Sequence, residues 1–197
     1  MSDETPRAAG TARLFAALEL PAAVRAALGA FGRAAAERDR ALRAVRDADL
    51  HVTLVFLGHR ATGDVAAAAE AVAGAATGVT APLLELGAPL WLAPRRPHVL
   101  TVELADPSGA LSALQSALGA SLAHALGIAP EGRPFRPHVT VARVRRGAAP
   151  RRDRLPDPAW EPADPFAGEA VTLFRSHLGR GPARYESLLR VPLVAKA

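Results

Sequence analysis

From Leu14 to Leu20 the chain is almost continuously apolar, and the run stops at Pro21. A proline there suits the first turn of a helix, so the pattern predicts a strand over 11–20 feeding directly into a helix. Val24, Leu28 and Phe31 then recur at three- to four-residue spacing among Ala and Arg, which predicts an amphipathic helix reaching about Arg38. A short strand is expected over 42–45. Residues 51–57 (HVTLVFL) are β-branched and aromatic and are bounded by Gly58, so they read as a buried strand. The Ala-rich stretch 64–76 reads as a second helix, with Thr62 upstream as its cap.

The second half repeats the scheme. Residues 82–92 and 98–104 read as two strands joined by a turn over 93–97. Asp106 and Pro107 supply an N-cap and a first-turn proline for a helix running to Leu126, where Gly127 ends it. A strand follows over 138–144, then a long loop over 145–165 rich in Arg, Pro and Asp, then two strands over 169–176 and 185–193. The order strand, helix, strand with His-Val-Thr occurs once in each half without any short sequence repeat. That pattern predicts an α+β fold of two related lobes with a groove between them. A length of 197 residues suits one such domain over 11–197, and residues 1–10, which hold no apolar run, read as a disordered terminus.

Composition narrows the chemistry. With no cysteine, disulfides, thiolate catalysis, iron–sulfur clusters and Cys-type zinc sites are all excluded. No apolar stretch reaches about 18 residues, and the N-terminus lacks a basic-then-apolar signal, so a soluble cytoplasmic chain with no membrane role is expected. The formal charge is +5, carried almost wholly by Arg, Lys196 being the one lysine. Such a field attracts anions, nucleic acid among them, and guanidinium forks grip phosphate with two hydrogen bonds. Arg and Ala abundance also follows from a GC-rich coding sequence, so charge alone names no partner.

Two segments remain, His51-Val52-Thr53 and His138-Val139-Thr140, each opening an apolar strand in its own half. Residues i and i+2 of a strand share a face, so each motif presents an imidazole and a hydroxyl together while the valine turns inward. Composition alone gives roughly 0.3 His-x-Thr matches in such a chain. Arg96-Pro97-His98-Val99-Leu100 copies the context of His138 but has Leu100 where the hydroxyl belongs, so His98 reads as a structural strand residue. His59, His124 and His177 lack comparable context and read as surface or structural. By themselves the two motifs fit either hydrogen-bonded core histidines or an acid–base pair. A metal site is disfavoured, because threonine is a poor ligand and no carboxylate or third histidine stands at ligand spacing.

The stretches RLFAALELP (13–21), LHVTLVFLG (50–58), RPFRPHVTVAR (133–143) and LFRSHLGRGPARYE (173–186) together make the chain resemble the two-histidine (2H) phosphoesterases, and within them the RNA 2',3'-cyclic phosphodiesterases also called 2'-5' RNA ligases. The resemblance spans nearly the whole chain. It implies a LigT-like fold of two pseudo-symmetric lobes of antiparallel sheet, helices outside, with the motifs facing each other across a central cleft. It implies His51 and His138 as the acid–base pair, Thr53 and Thr140 as donors to phosphate oxygens, Arg143 as a further phosphate ligand and Phe56 as an aromatic near the first motif. Phe56 and Arg143 each lie five residues beyond their histidine, which strict alternation puts on the opposite face, so a bulge or a strand end is needed for them to reach the site.

Tyr185, in the closing stretch, either lines the cleft or packs a terminal strand. Arg143, Arg145, Arg146, Arg151, Arg152 and Arg154 either steer an RNA backbone or form a solvated loop. The implied activity is opening of RNA 2',3'-cyclic phosphate ends to 2'-phosphomonoesters, with 2'-5' ligation as the reverse, no metal or other cofactor, and a monomeric enzyme. Two other functions stay open: a non-catalytic RNA-end or nucleotide-binding module, and a phosphodiesterase acting on small cyclic nucleotides or an ADP-ribose derivative. Which histidine is base does not follow from the sequence.

Overall fold

The computed structural model describes residues 10–92, 97–129, 131–153, 155–158, 160, 165–177 and 183–195. Strand β1 (Thr11–Glu19) leads through Pro21 into helix α1 (Ala22–Arg38), as its change of period predicts. Strand β2 (Leu42–Ala44), a 3₁₀ turn (Asp47–Asp49) and strand β3 (His51–Ala61) follow, then helix α2 (Asp64–Ala76). The second half runs β4 (Leu83–Leu92), β5 (Val99–Ala105), α3 (Ala110–Leu126) and β6 (His138–Val144). Strands β7 (Phe166–Ala167), β8 (Ala170–His177) and β9 (Arg184–Pro192) close the chain.

The strands are hydrogen-bonded in the order β7-β4-β5-β6-β3-β1-β8-β9, and β2 adds to β6. The expected α+β class and its two antiparallel halves are what is observed. One half is β6-β5-β4-β7 and the other β3-β1-β8-β9, and they meet where β3 pairs antiparallel with β6 at Val52 and Val139. Both valines are fully buried, in one apolar cluster with Leu14, Leu18, Leu28, Leu100, Leu118 and Leu173. Helix α1 packs on β2 and β6, α2 on β8, β9 and α3, and α3 also on β3.

Several expectations need correction. Gly58 does not end its strand: it takes a φ of 67° inside β3, at a bulge, and pairing with β1 continues to Ala61. Thr62 does not cap α2; its hydroxyl donates to the Gly10 carbonyl, and Gly63 occupies the cap position. Gly10 is thereby fastened to the end of β3, whereas residues 1–9 and the turn residues 93–96 fall outside the described set. Asp106 does cap α3, but from one turn earlier than expected, its carboxylate accepting from the Leu111 and Ser112 amides, while Gly109 stands at the N-cap. Pro107 thus precedes the helix. Gly127 ends α3 in the left-handed conformation, as predicted.

Helix α1 approaches β6 closely at Gly32, where an added Cβ would stand 2.6 Å from the Val141 carbonyl oxygen. Alanine there forces α1 off β6, and overpacking of this kind costs about 1–3 kcal/mol. We expect Gly32→Ala to lower the urea midpoint accordingly. Gly74→Ala is the control: it sits exposed in α2 with open space around its Cβ position, and should be neutral or stabilising by up to about 1 kcal/mol.

Candidate active site

Because β3 and β6 run antiparallel with Val52 facing Val139, the register sets His51 opposite Thr140 and Thr53 opposite His138. Directly opposed side chains in such a pair lie about 4.5–5.5 Å apart at Cβ, so the two motifs form a compact square on one face of the sheet. The intervening valines turn to the core while all four polar residues stay partly accessible, as period-two alternation predicts.

Each imidazole is anchored by a backbone carbonyl two residues earlier. His51 Nδ1–H donates to the Asp49 carbonyl at 2.7 Å, and His138 Nδ1–H donates to the Arg136 carbonyl at 2.7 Å. A carbonyl can only accept, so both Nδ1 atoms carry protons and Nε2 is the atom left for chemistry. The Thr53 hydroxyl lies 3.2 Å from His51 Nε2 and can donate to it.

Of the two ways to bring Phe56 and Arg143 round, a bulge or a strand end, the structure uses a bulge for each. Opposite β1, Ala16 pairs with Val55 and Ala17 with Thr53, which leaves Leu54 as an extra residue. Leu54 and Val55 both pack toward the core, and the alternation resumes with Phe56 on the side of His51, 53% exposed. Opposite β5, Leu100 pairs with Ala142 and Thr101 with Thr140, which leaves Val141 extra and returns Arg143 to the face of the histidines. Its charge is felt by His51.

An aromatic shell that the strand patterns did not reveal surrounds His51. Phe15 lies 5.0 Å away between ring centroids, Phe174 6.2 Å, and Tyr185 packs edge-on at 5.4 Å. Phe15 also stacks on Phe56, over which the Arg13 guanidinium sits 4.6 Å from the ring centroid. The only sequence signal for Phe15 and Arg13 was their place in the opening stretch 13–21, since β1 is buried on both faces and shows no alternation. Tyr185 thus belongs beside the histidine, not merely to its own strand.

A groove of about 680 Å³ adjoins the square, lined by Thr53, Phe56 and His138, by Gln115 and Ser116 of α3, and by Arg133 and Arg136 ahead of β6. His98, expected within a strand, is exposed just ahead of β5, and His59, His124 and His177 are exposed. Of the arginine run, Arg145 is occupied with the Arg40 and Leu42 carbonyls, Arg146, Arg151 and Arg152 are exposed, and Arg154 lies outside the described residues. Among the described residues no group of three or more His, Asp or Glu is placed to hold a metal ion, and no helix is long and apolar enough to cross a membrane.

Burial pushes the His51 imidazole down from its ordinary 6.5 to about 4; the Arg143 and His138 charges act in the same direction, against the Asp49 carbonyl, which raises it. As pH falls, the unfolded chain therefore takes up this proton before the folded chain does. The stabilisation is complete above about 6.5 and is lost between there and about 4, a change of about 3 kcal/mol at most. Denaturant unfolding across this window should show stability falling with pH, and His51→Gln should flatten that slope.

A profile of the 2'-5' RNA ligase superfamily matches residues 18–180. The RNA 2',3'-cyclic phosphodiesterase of Escherichia coli (strain K12) is 32% identical over 180 residues, covering 90% of this chain and 94% of that protein. The RNA 2',3'-cyclic phosphodiesterase of Geobacillus stearothermophilus is 28% identical over 152 residues, which are 76% of this chain but only 47% of that relative, so the match spans about half its length. The crystal structure of E. coli LigT complexed with 3'-AMP superimposes with a TM-score of 0.70 at 28% identity, covering 93% of this chain and 99% of that one. With the family profile spanning most of its length and a two-lobed sheet shared with LigT, the chain belongs to the 2'-5' RNA ligase superfamily.

Proposed function

We propose that this protein opens RNA 2',3'-cyclic phosphate ends to 2'-phosphomonoesters by general acid–base catalysis, with 2'-5' ligation as the reverse. One observation carries the reading: the Val52–Val139 pairing sets two imidazoles and two hydroxyls in a square, each imidazole fixed through Nδ1 so that Nε2 is the exchanging atom. The two relatives named as RNA 2',3'-cyclic phosphodiesterases support it.

The cyclic phosphate sits over the square. Thr53, Thr140 and Arg143 hold its non-bridging oxygens and offset the charge that builds up in the transition state. One Nε2 takes a proton from water as the water oxygen bonds to phosphorus. The opposite Nε2–H gives a proton to the 3' oxygen as the P–O3' bond breaks, leaving the phosphate on the 2' oxygen. His51, neutral through the physiological range, enters as the base and His138 as the acid. Tyr185, against His51, and Phe56, reached through Phe15, offer aromatic surface to the ribose or base. Both histidines come from one chain, so a monomer suffices, and a cytoplasmic place of work is part of the same proposal. A purely binding module has no use for two opposed proton-transfer groups.

His51→Ala or His138→Ala should lower turnover of a cyclic-phosphate-terminated oligonucleotide by about 10³-fold or more with folding retained by circular dichroism. Full activity in either variant would remove the mechanism. Thr53→Val and Thr140→Val, each deleting a hydrogen bond to a charged group worth about 1.5–3 kcal/mol, should cost about 10- to 100-fold. The acid limb of kcat/KM should lie well below pH 6, toward the His51 value of about 4, and a chelator should leave activity unchanged. An acid limb that stays in place when His51 is replaced would reverse the roles of the two histidines.

A further inference from the structure

A second, smaller depression of about 50 Å³ shares no lining residue with the large groove. It is lined by Arg43, Arg46, Asp49, Arg143 and Tyr185, the last of which packs against His51, so it adjoins the imidazole. Arg43 and Arg143 are direct partners in the antiparallel β2–β6 ladder, so their side chains leave the same face of the sheet from neighbouring positions. Neither makes an ion pair or a side-chain hydrogen bond among the described residues.

Among the described residues the one carboxylate lining this depression is already taken. Asp49 is gripped by both ends of the Arg46 fork, Nε to Oδ2 at 2.6 Å and Nη2 to Oδ1 at 3.0 Å. Among the described residues the Arg43 and Arg143 guanidinium groups therefore remain side by side without a counter-charge, each with a planar set of donors shaped for a phosphate. Arg143 is accounted for by the scissile phosphate; Arg43, one strand further out, is not. With the cyclic phosphate over the histidine–threonine square, the next anion along an RNA strand is the phosphate on the 5' oxygen of the same nucleotide.

We propose that the Arg43–Arg143 depression is a subsite for that second phosphate, through which the site prefers RNA ends to free cyclic nucleosides. The inference rests on the cyclic-phosphate reading above and adds Arg43 as a specificity residue. The phosphate can come from a strand, as the internucleotide diester, or from a mononucleotide, as a 5'-monoester; its chemistry at the subsite is shared.

The test compares kcat/KM for adenosine 2',3'-cyclic phosphate, its 5'-phosphorylated form and a dinucleotide ending in the same cyclic phosphate, in the wild type, Arg43→Gln and Arg43→Lys. The wild type should favour both substrates bearing the second phosphate by about tenfold or more, with the preference shrinking as salt is raised. Arg43→Gln should collapse the preference to less than about threefold, and Arg43→Lys should restore part of it. A preference for the 5'-phosphorylated mononucleotide alone would assign the subsite to a monoester, one for both to any second phosphate. Equal efficiency on all three in the wild type, a preference for the dinucleotide alone that survives Arg43→Gln, or an equal fall on all three in that variant would overturn the subsite. Failure of the wild type to open any of the three would instead overturn the cyclic-phosphate reading.

Discussion

The contact between β3 and β6 at Val52 and Val139 is the constraint on which the site depends. Two antiparallel half-sheets meet there, and both valines are fully buried, so the register cannot slip without exposing apolar surface. A slip of one residue would turn the histidine of the slipping strand into the core and leave the other alone on the open face. The hydrophobic requirement at one face thus fixes the polar geometry at the other, and the placing of the two imidazoles and two hydroxyls is a by-product of core packing.

A perfectly regular pair of strands would not complete the site. The extra residues Leu54 in β3 and Val141 in β6 each reset the alternation, returning Phe56 and Arg143 to the face of the histidines. The second bulge is held from two sides. Val45 N–H donates to the Val141 carbonyl at 2.9 Å, and α1 approaches that same carbonyl so closely at Gly32 that no larger residue fits. Helix packing on one face of the sheet therefore helps to aim an arginine on the other.

The aromatic shell gives the two imidazoles different surroundings although their motifs are alike. His51 is enclosed by Phe15, Phe174 and Tyr185, and burial keeps it neutral, whereas His138 lines the open groove. Desolvating one member of a matched pair is a physical route to unequal roles. Its cost is borne at acid pH, where the buried ring resists its proton.

The strands carrying the motifs, the three helices and the pairing of His with Thr were legible in the sequence, because period and punctuation are local properties: Pro21, Gly127 and the Val between each His and Thr act within a few residues. The mismatch of phase at Phe56 and Arg143 was also legible, though that a bulge and not a strand end resolves it was not. Tertiary structure alone decided which strand faces which, hence that His51 stands opposite Thr140. It also decided that Phe15, Phe174 and Tyr185 close around one histidine and that Arg43 comes to lie beside Arg143. Those neighbours are joined by pairings between positions as far apart as 43 and 143, and no local pattern encodes a contact across that separation.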